Sequence, residues 1–402
     1  MKHPPTITLY RLSAVLLSAL LVTTTLCAQD RARDLGLPME GQPGAQNAIT
    51  DVEGIEVGFT TLIEGEGPLV VGEGPIRTGV TAIFPRGRAN LDPVFGAWFT
   101  LNGNGEMTGT TWVEESGFLE GPVMITNTHS VGVVRDAVIR WMVQQGKLDY
   151  DFMMPVVAET YDALNDINGQ HVTQAHALAA MDAATEGVVE EGNVGGGTGM
   201  ICHGFKGGTG TASQKVGEYT IGVLVQCNYG ARSQLRIAGV PVGKELMQPA
   251  MCWDNPDAEP RWGIPLCSEG APGPDQDRGS IIIVAATDAP LLPHQLKRIV
   301  KRASLGVGKM GGIGGNSSGD IFIAFSTANP GAASHDGEQS VAMLPNEYLN
   351  PFFQSTIWAV EEAIINAMLS AETMTGVDDL RVPALPHDRL IEVMRRYNRL
   401  VE

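Results

Sequence analysis

The chain of 402 residues carries 45 acidic and 27 basic side chains, a net charge of -18, and it contains 49 glycines. This acidic balance excludes a protein that binds nucleic acid through clustered lysines and arginines. The hydrophobic fraction of 43% provides for a sizeable buried core, and the length allows one large domain or two ordinary ones. So many glycines in a non-repetitive chain indicate tight turns and close backbone approaches.

Residues 1–28 have the pattern of a secretory signal peptide, in which basic residues precede a short apolar stretch at residues 12–22 and small residues follow. We predict cleavage after Ala28, which leaves residues 29–402 as a single domain in the periplasm or outside the cell. The apolar stretch is too short for a comfortable membrane span. The alternatives are an uncleaved anchor and a lipid attached to Cys27.

The first part of the mature chain is predicted to form short strands and two helices. Residues 29–46 are polar and rich in turn-forming residues, so we expect an extended arm. Strands are predicted from short apolar runs at residues 54–59, 68–71, 79–84, 122–126 and 219–226. Helices are predicted at residues 131–145 and 175–190, and an exposed loop at the proline-rich residues 249–278.

The second part of the chain has longer apolar runs. Buried strands are predicted at residues 280–286 and 320–326, and helices at residues 293–304, 355–371 and 387–398. Basic residues toward the C-terminal end of the first of these helices suit its dipole. Strands in sheets with helices outside imply a layered α/β sandwich.

The mature chain keeps four cysteines, an even number in a compartment that is expected to be oxidising. Cys252 and Cys267 bracket a turn-rich segment, and we predict a disulfide between them. Cys202 and Cys227 lie in apolar runs, which favours two buried thiols, with a second disulfide as the alternative. The chain has no CxxC or HExxH motif, and no metal site is predicted.

Glycine-rich residues 306–319 contain partial motifs. Residues 315–319 match the GxSxG nucleophile elbow, but a predicted strand follows them where that elbow needs a helix. Residues 306–310 resemble a phosphate-binding loop, but Met310 stands in place of the required serine or threonine. A dinucleotide-binding fingerprint would need a preceding strand, which is not predicted here. We interpret these glycines as a loop that packs against an active centre.

The junction between Gly279 and Ser280 has the pattern of an N-terminal-nucleophile enzyme before self-cleavage: a small residue, a serine and an apolar strand after an exposed loop. In this chemistry the serine hydroxyl attacks the preceding carbonyl, the acyl group moves from nitrogen to oxygen, and water releases the ester. Cleavage gives Ser280 an α-amine, whose ordinary pKa of about 7.7–8.0 suits a general base for its own hydroxyl. The alternative is an ordinary strand that begins after a turn.

Seven sequence blocks, in order along the mature chain, together resemble one family: the self-processing L-aminopeptidase/D-Ala-esterase/amidases and β-peptidyl aminopeptidases. The blocks are residues 47–54, 101–109, 155–162, 195–204 (GGGTGMICHG), 223–230, 279–290 (GSIIIVAATDAP) and 317–327. Because the blocks span essentially the whole mature chain, the roles of the family's residues can be carried over position by position.

The resemblance implies four catalytic residues around the predicted cleavage site. Ser280 matches the nucleophile that becomes the N-terminus of the smaller chain. Ser318 and Asp320 match the pair beside it that orients its hydroxyl and amine. Asn228 matches the oxyanion-hole asparagine, whose side-chain amide can donate to the developing negative oxygen.

Two further residues match family positions near the substrate. Tyr161 matches an active-site tyrosine that assists at the oxyanion or at the leaving group, and its alternative role is a core aromatic. Glu159 matches the carboxylate that holds the free amino group of the substrate. Such a role would explain a requirement for a free N-terminus, since an acylated N-terminus would leave that buried charge unpaired. Asp320 stands where β-peptidyl aminopeptidases commonly have glutamate, which weighs against a β-peptide preference, and its alternative role is to cap a turn.

The resemblance implies a four-layer αββα sandwich, similar to N-terminal-nucleophile hydrolases but with different strand connectivity, and a homotetramer of cleaved αβ units. It implies self-cleavage into a large chain, residues 29–279, and a small chain, residues 280–402. It also implies hydrolysis of N-terminal residues from short peptides, amino-acid amides and esters, D-Ala or β-amino-acid substrates among them. The reaction would run through an acyl-enzyme on Ser280 with no metal and no cofactor.

Three other interpretations stay open. Ornithine acetyltransferases share this architecture and self-cleavage, but they use threonine as the nucleophile. A second alternative is an unprocessed peptide-binding protein on the same sandwich, and a third is a cofactor-using enzyme built on the glycine-rich loop. The loop at residues 249–278 looks long for the family, and we expect it to edge the pocket or to pack between subunits.

Overall fold

The computed structural model describes Met1 and residues 30–146, 152–257 and 261–401; the predicted signal peptide, with Cys27, lies outside the described residues apart from Met1. In chain order the strands are β1 (Glu56–Glu64), β2 (Ile76–Phe84), β3 (Val94–Gly103), β4 (Phe118–Leu119), β5 (Val123–Asn127), β6 (Val156–Thr160), β7 (Ile201–Cys202), β8 (Phe205–Lys206), β9 (Gly208–Val216), β10 (Tyr219–Asn228), β11 (Cys252–Trp253), β12 (Ser280–Thr287), β13 (Gly319–Ser326), β14 (Met374–Thr375) and β15 (Leu380–Val382). The helices are α1 (Thr110–Ser116), α2 (Val131–Gln145), α3 (Gln174–Asp182), α4 (Val242–Glu245), α5 (Pro293–Val300), α6 (Ala303–Lys309), α7 (Leu349–Leu369) and α8 (His387–Arg396).

Two sheets form the centre of the molecule. One has four strands in the order β1-β2-β5-β6, and the other has six strands in the order β4-β3-β13-β12-β10-β9. In the larger sheet β12 pairs parallel with β13 and antiparallel with β10. Two smaller sheets, β11-β15-β14 and β7-β8, lie outside this pair.

Strand β12 shows why the two sheets stack. Its side chains alternate between the two faces of the sheet, as the two-residue repeat of a strand requires. Ile282, Val284 and Ala286 pack between the two sheets. Ile281 and Ile283 point to the opposite face, where α5, α6 and α7 cover them. A strand that is apolar on both faces therefore belongs in the middle of a layered structure.

Helices cover both outer faces of the sheet pair. Helices α2 and α3 pack on the four-stranded sheet through residues such as Val134, Val138 and Ala180. Helices α5, α6 and α7 pack on the six-stranded sheet, and Gly306 lets α6 approach α7 closely, since a Cβ there would lie 2.6 Å from Val360 Cγ1. The predicted four-layer αββα sandwich is confirmed. Among the described residues no helix has the length and apolar composition to cross a membrane.

Several predicted elements differ from the structure, and three of them have a clear physical reason. Residues 68–71 do not form a strand. Val70 makes only an isolated bridge to Gly74, across a turn in which Gly72 and Gly74 have positive φ. Helix α3 ends at Asp182, eight residues earlier than predicted, because Thr185 then pairs with β1. The predicted helix at 293–304 is divided into α5 and α6, and α6 takes in the glycine-rich residues up to Lys309.

Two disulfides join the four cysteines. The predicted bridge between Cys252 and Cys267 is confirmed, and it closes the loop that follows β11. The interpretation of Cys202 and Cys227 as buried thiols was wrong, since the structure joins them with their Cα atoms 5.7 Å apart. The reason is topological: the short strand β7 lies against the end of β10, which brings two apolar runs together.

Candidate active site

Ser280 lies at one end of the six-stranded sheet, where three neighbouring strands begin or end. It is the first residue of β12 and sits directly opposite Asn228, the last residue of the antiparallel strand β10. The parallel strand β13 begins beside it at Gly319. Strand register thus brings the ends of three strands to one point, and it buries Ser280 to 6% exposure.

The hydroxyl of Ser280 meets the start of β13. Its Oγ accepts a hydrogen bond from the backbone N–H of Gly319 at 3.0 Å. The residues on either side of that glycine, Ser318 and Asp320, are bonded to each other, since the Ser318 hydroxyl donates to Asp320 Oδ1 at 2.5 Å. The predicted pair therefore lies next to the predicted nucleophile, as a hydrogen-bonded unit. Asp320 is the second residue of a strand, so it does not cap a turn.

Burial sets the charge state of Asp320. Loss of solvent raises the pKa of this carboxyl to about 6, against the opposing effect of the Ser318 hydrogen bond. The nearby negative charge of Asp277 raises the pKa further. Asp320 is therefore ionised at neutral pH and takes up a proton in mildly acidic solution.

The side chain of Asn228 is held in one orientation. Its Oδ1 accepts from the backbone N–H of Ile201 at 2.8 Å, and its Nδ2 donates to the carbonyl of Tyr161 at 2.9 Å. Because the amide nitrogen carries two N–H groups, one is left that can donate to an oxygen beside Ser280. A preoriented amide of this kind can stabilise an oxyanion without reorganisation.

Gly279 has a backbone conformation that only glycine adopts easily. Its φ is +97°, and a Cβ built on it would lie 1.9 Å from the carbonyl oxygen of Asn228. The residue before Ser280 is thus pressed against the end of β10. Sequence alone indicated a small residue here, and the structure supplies the steric reason.

Glu159 lies in β6, one layer from the nucleophile. It is 2% exposed; its Oε1 accepts from the backbone N–H of Glu106 at 2.9 Å, and its Oε2 accepts from the Thr128 hydroxyl. Burial raises the pKa of this carboxyl, while the Thr128 and Glu106 bonds favour the charged form. Gly105 separates Glu159 from Gly319, because a Cβ on Gly105 would lie 3.0 Å from Glu159 Oε1 and 3.3 Å from Gly319 Cα.

Tyr161 lines a cavity of about 380 Å³ together with Asn228 and Gly279. The residue is 44% exposed, so the alternative of a core aromatic was wrong. Partial burial raises the pKa of its phenol, so the hydroxyl stays protonated and can donate. The predicted loop at residues 249–278 does edge this cavity, and it contributes the apolar side chains of Met251, Trp262 and Ile264.

Sequence reasoning missed the groups that fix the predicted residues in place. The N–H of Gly319 and the N–H of Glu106 are backbone donors, and no side-chain motif marks them. Thr128 follows a buried strand directly, and its position at a strand end was the one available signal. The glycine-rich loop after α6 does reach the site, since a Cβ on Gly314 would lie 3.7 Å from Asp320 Oδ2.

The family model of peptidase family S58 matches residues 47–382, most of the chain. The chain belongs to peptidase family S58. Its curated relatives include the β-peptidyl aminopeptidase BapA of Sphingosinicella microcystinivorans, 52% identical over 394 residues that cover 96% of this chain and 97% of the relative. BapA of Sphingosinicella xenopeptidilytica is 46% identical over 396 residues, covering 94% and 95% of the two chains.

Solved structures agree with the S58 assignment. The L-aminopeptidase D-Ala-esterase/amidase of Ochrobactrum anthropi, a prototype serine aminopeptidase and a variant of the Ntn-hydrolase fold, has a TM-score of 0.81 at 49% identity, covering 92% of this chain and 99% of the other. A β-aminopeptidase from Burkholderia sp. has a TM-score of 0.79 at 45% identity, covering 91% and 99%. The predictions of the family, of an N-terminal-nucleophile-like fold and of a serine aminopeptidase are confirmed, and they favour a peptidase over the acetyltransferase alternative.

Proposed function

We propose that this S58 peptidase is made as a precursor, cleaves itself between Gly279 and Ser280, and then removes N-terminal residues from short peptides, amides and esters. The observation that carries the proposal is the surroundings of Ser280. It is a strand-end serine that follows a glycine with positive φ, lies opposite Asn228 and is hydrogen-bonded beside the Ser318–Asp320 pair. These are the groups that both steps of the chemistry need.

Self-cleavage is an acyl shift followed by hydrolysis. The Ser280 hydroxyl oxygen bonds to the Gly279 carbonyl carbon, the C–N bond breaks, and the nitrogen keeps the hydroxyl proton as part of a new α-amine. One water then hydrolyses the ester, which leaves a carboxylate on Gly279 and restores the hydroxyl of Ser280. The large chain would span residues 29–279 and the small chain residues 280–402.

In turnover the new amine takes the proton of its own hydroxyl as Ser280 attacks the substrate carbonyl. Asn228 donates to the tetrahedral oxyanion, and Ser318 and Asp320 hold the amine and hydroxyl in position. Tyr161 assists at the oxyanion or the leaving group from its place on the cavity wall. Water then releases the acyl group from Ser280, and no metal or cofactor takes part.

Glu159 is proposed to attract the ammonium group of the substrate. Each of its oxygens has one hydrogen bond, which leaves lone pairs that can accept another donor. Its burial supports a preference for charged N-termini, since an acylated substrate would offer no cation to offset the carboxylate. The relatives named β-peptidyl aminopeptidases support a screen that includes β-amino-acid amides beside L- and D-amino-acid amides.

We further propose that residues 1–28 direct export to the periplasm or beyond and are then removed, and that cleaved αβ units assemble as a homotetramer. The support is the signal-like pattern of the N-terminus and the resemblance of the whole chain to its family. Light scattering on the purified protein would give the oligomer mass, and a dimer or monomer would contradict the proposed tetramer.

The proposed activity is tested with aminoacyl p-nitroanilides, on the wild type and on Ser280→Ala. We expect release of p-nitroaniline that survives a metal chelator, vanishes in Ser280→Ala, and falls strongly when the substrate N-terminus is acetylated. Activity that the chelator removes, or that persists in Ser280→Ala, would contradict a serine nucleophile. Peptide binding without turnover would favour the binding-protein alternative.

A further inference from the structure

The segment just before the proposed cleavage site, residues 274–279, contributes alternate residues to the cavity wall. Pro274, Gln276, Arg278 and Gly279 contribute to the cavity wall. Asp275, between the first two of these, faces elsewhere and binds a neighbouring loop, as does Asp277. Residues that line the cavity thus alternate with residues that anchor the segment.

The two aspartates bind loops on opposite sides of Ser280. Asp275 Oδ1 accepts from the backbone N–H of Ser233 at 2.9 Å, and Asp277 Oδ2 accepts from the backbone N–H of Ile313 at 3.3 Å. Asp277 also packs tightly on the second loop, since a Cβ on Gly315 would lie 2.8 Å from its carbonyl oxygen.

These are the loops that carry the rest of the site. Ser233 follows shortly after Asn228 at the end of β10. Ile313 precedes Ser318 and Asp320 at the start of β13. Each aspartate therefore ties the segment to one half of the group of side chains around Ser280.

We propose that Asp275 and Asp277 are positioning residues for self-cleavage, which hold the Gly279 carbonyl in place for attack by Ser280. This inference rests on the proposed self-processing of the chain. The segment belongs to an exposed loop, so without the anchors its backbone would visit many conformations in which that carbonyl is misplaced. Because an intramolecular attack is fast only in the correct geometry, loss of an anchor slows it.

In turnover the two aspartates no longer position the bond that is broken. After cleavage Gly279 ends the large chain, and the bond that the anchors positioned no longer exists. Substrate is then held by the cavity and by the side chains around Ser280. Self-cleavage and peptidase activity should therefore respond differently to changes at the two aspartates.

The experiment follows self-cleavage of freshly purified precursor by intact mass in the wild type, Asp275→Ala, Asp277→Ala and Asp277→Asn. We expect each alanine variant to cleave about tenfold more slowly, the size of effect that one lost hydrogen bond gives. Asp277→Asn should cleave faster than Asp277→Ala, since its amide oxygen can still accept from Ile313. Glu269→Ala is the matched control, because this exposed residue of the same loop bonds through its own backbone N–H to Leu266.

Two further readouts separate positioning from a general effect. Once each protein has cleaved fully, kcat on an aminoacyl p-nitroanilide at pH 8, where Asp320 is ionised with or without Asp277, should differ by no more than about twofold, whereas the cleavage rates differ tenfold. Thermal unfolding of the same substitutions on a Ser280→Ala background reports any loss of stability in the uncut chain. Wild-type cleavage rates in both alanine variants would overturn the inference and leave the proposed function standing. A wild type that never cleaves would overturn both.

Discussion

The two regions that meet at Ser280 are built on different principles. The sheet edge, formed by Asn228, Ser280 and residues 318–320, is fixed by strand register and by hydrogen bonds between buried groups. The loop that edges the cavity, residues 249–279, is largely exposed and is fixed at separate points. These points include the Cys252–Cys267 disulfide, the pairing of β11 with β15, an ion pair between Arg261 and Asp378, and the hydrogen bonds of Asp275 and Asp277.

This difference indicates a division of labour. Groups on the sheet edge cannot move without disrupting paired strands, which suits bond-making chemistry that depends on exact geometry. Side chains on the loop can change without loss of the fold, which suits the choice of substrate. We therefore expect changes at the sheet edge to act on kcat and changes in the loop to act on KM.

The largest effect is expected at Asn228. Asn228→Ala removes the amide donor beside the nucleophile, and kcat on an aminoacyl p-nitroanilide should fall by roughly 10²–10³, as for other oxyanion-hole donors. Steady-state kinetics measure it on protein that has been confirmed as cleaved. Asn193→Ala is the control, an amide that bonds to the Glu372 carbonyl elsewhere, and it should keep wild-type kinetics. A change in KM without a change in kcat for Asn228→Ala would contradict the assignment of catalysis to the sheet edge and substrate choice to the loop.

Gly279 connects the loop to Ser280, the first residue of β12. Gly279→Ala places a Cβ against the Asn228 carbonyl and forces alanine to a φ near +97°, so self-cleavage should slow about a hundredfold. Time-resolved intact mass measures the rate. Gly273→Ala is the matched control in the same loop, because its Cβ would meet its nearest neighbour at an ordinary 3.5 Å. Equal rates in the two variants would mean that residue 279 does not need to be glycine.

The acid limb of the pH profile should report Asp320. Because burial raises the pKa of this carboxyl to about 6, it is charged at pH 7 and protonated at pH 5. If the ionised form holds the Ser318 hydroxyl for catalysis, self-cleavage should slow roughly tenfold per pH unit below pH 6. Asp320→Asn should lose this limb and stay slow throughout, whereas Glu159→Gln should keep it. A flat wild-type profile from pH 5 to 7 would exclude Asp320 as the group.

The smallest effect is expected at Trp262, in the loop. Trp262→Ala removes part of the cavity wall, and KM for substrates with large apolar side chains should rise about three- to tenfold, with kcat within about twofold. Trp112→Ala is the control, since Trp112 is exposed to a similar degree and lines a separate cavity. A fall in kcat for Trp262→Ala would show that the loop takes part in the chemistry.

The sheet edge could be predicted from sequence much better than its supports. Residues 280–286 are predicted as a buried strand because they are apolar on both faces. Residues 131–145 match helix α2, which Gly146 caps with a φ of +64°. Asn228, Ser280 and the Ser318–Asp320 pair are identified together only through the family resemblance, since these three parts of the site lie far apart in the chain and meet through strand pairing.

The parts that sequence could not predict depend on tertiary contacts. The Cys202–Cys227 bridge follows from the placement of β7 against β10, and neither apolar run contains a signal for it. The partners of Glu159 are a threonine and a backbone N–H from two other segments. The anchors at Asp275 and Asp277 bind backbone N–H groups of loops, and an exposed acidic loop gives no indication of such partners.

The most direct test of the central claim is the intact mass of the purified mature protein beside that of Ser280→Ala. The account predicts two fragments from the wild type, the smaller beginning Ser-Ile-Ile-Ile-Val at Ser280, and one uncut chain from the variant. A single intact wild-type chain would contradict it, because the serine at the start of β12 would then have no α-amine to take the proton of its nucleophilic hydroxyl.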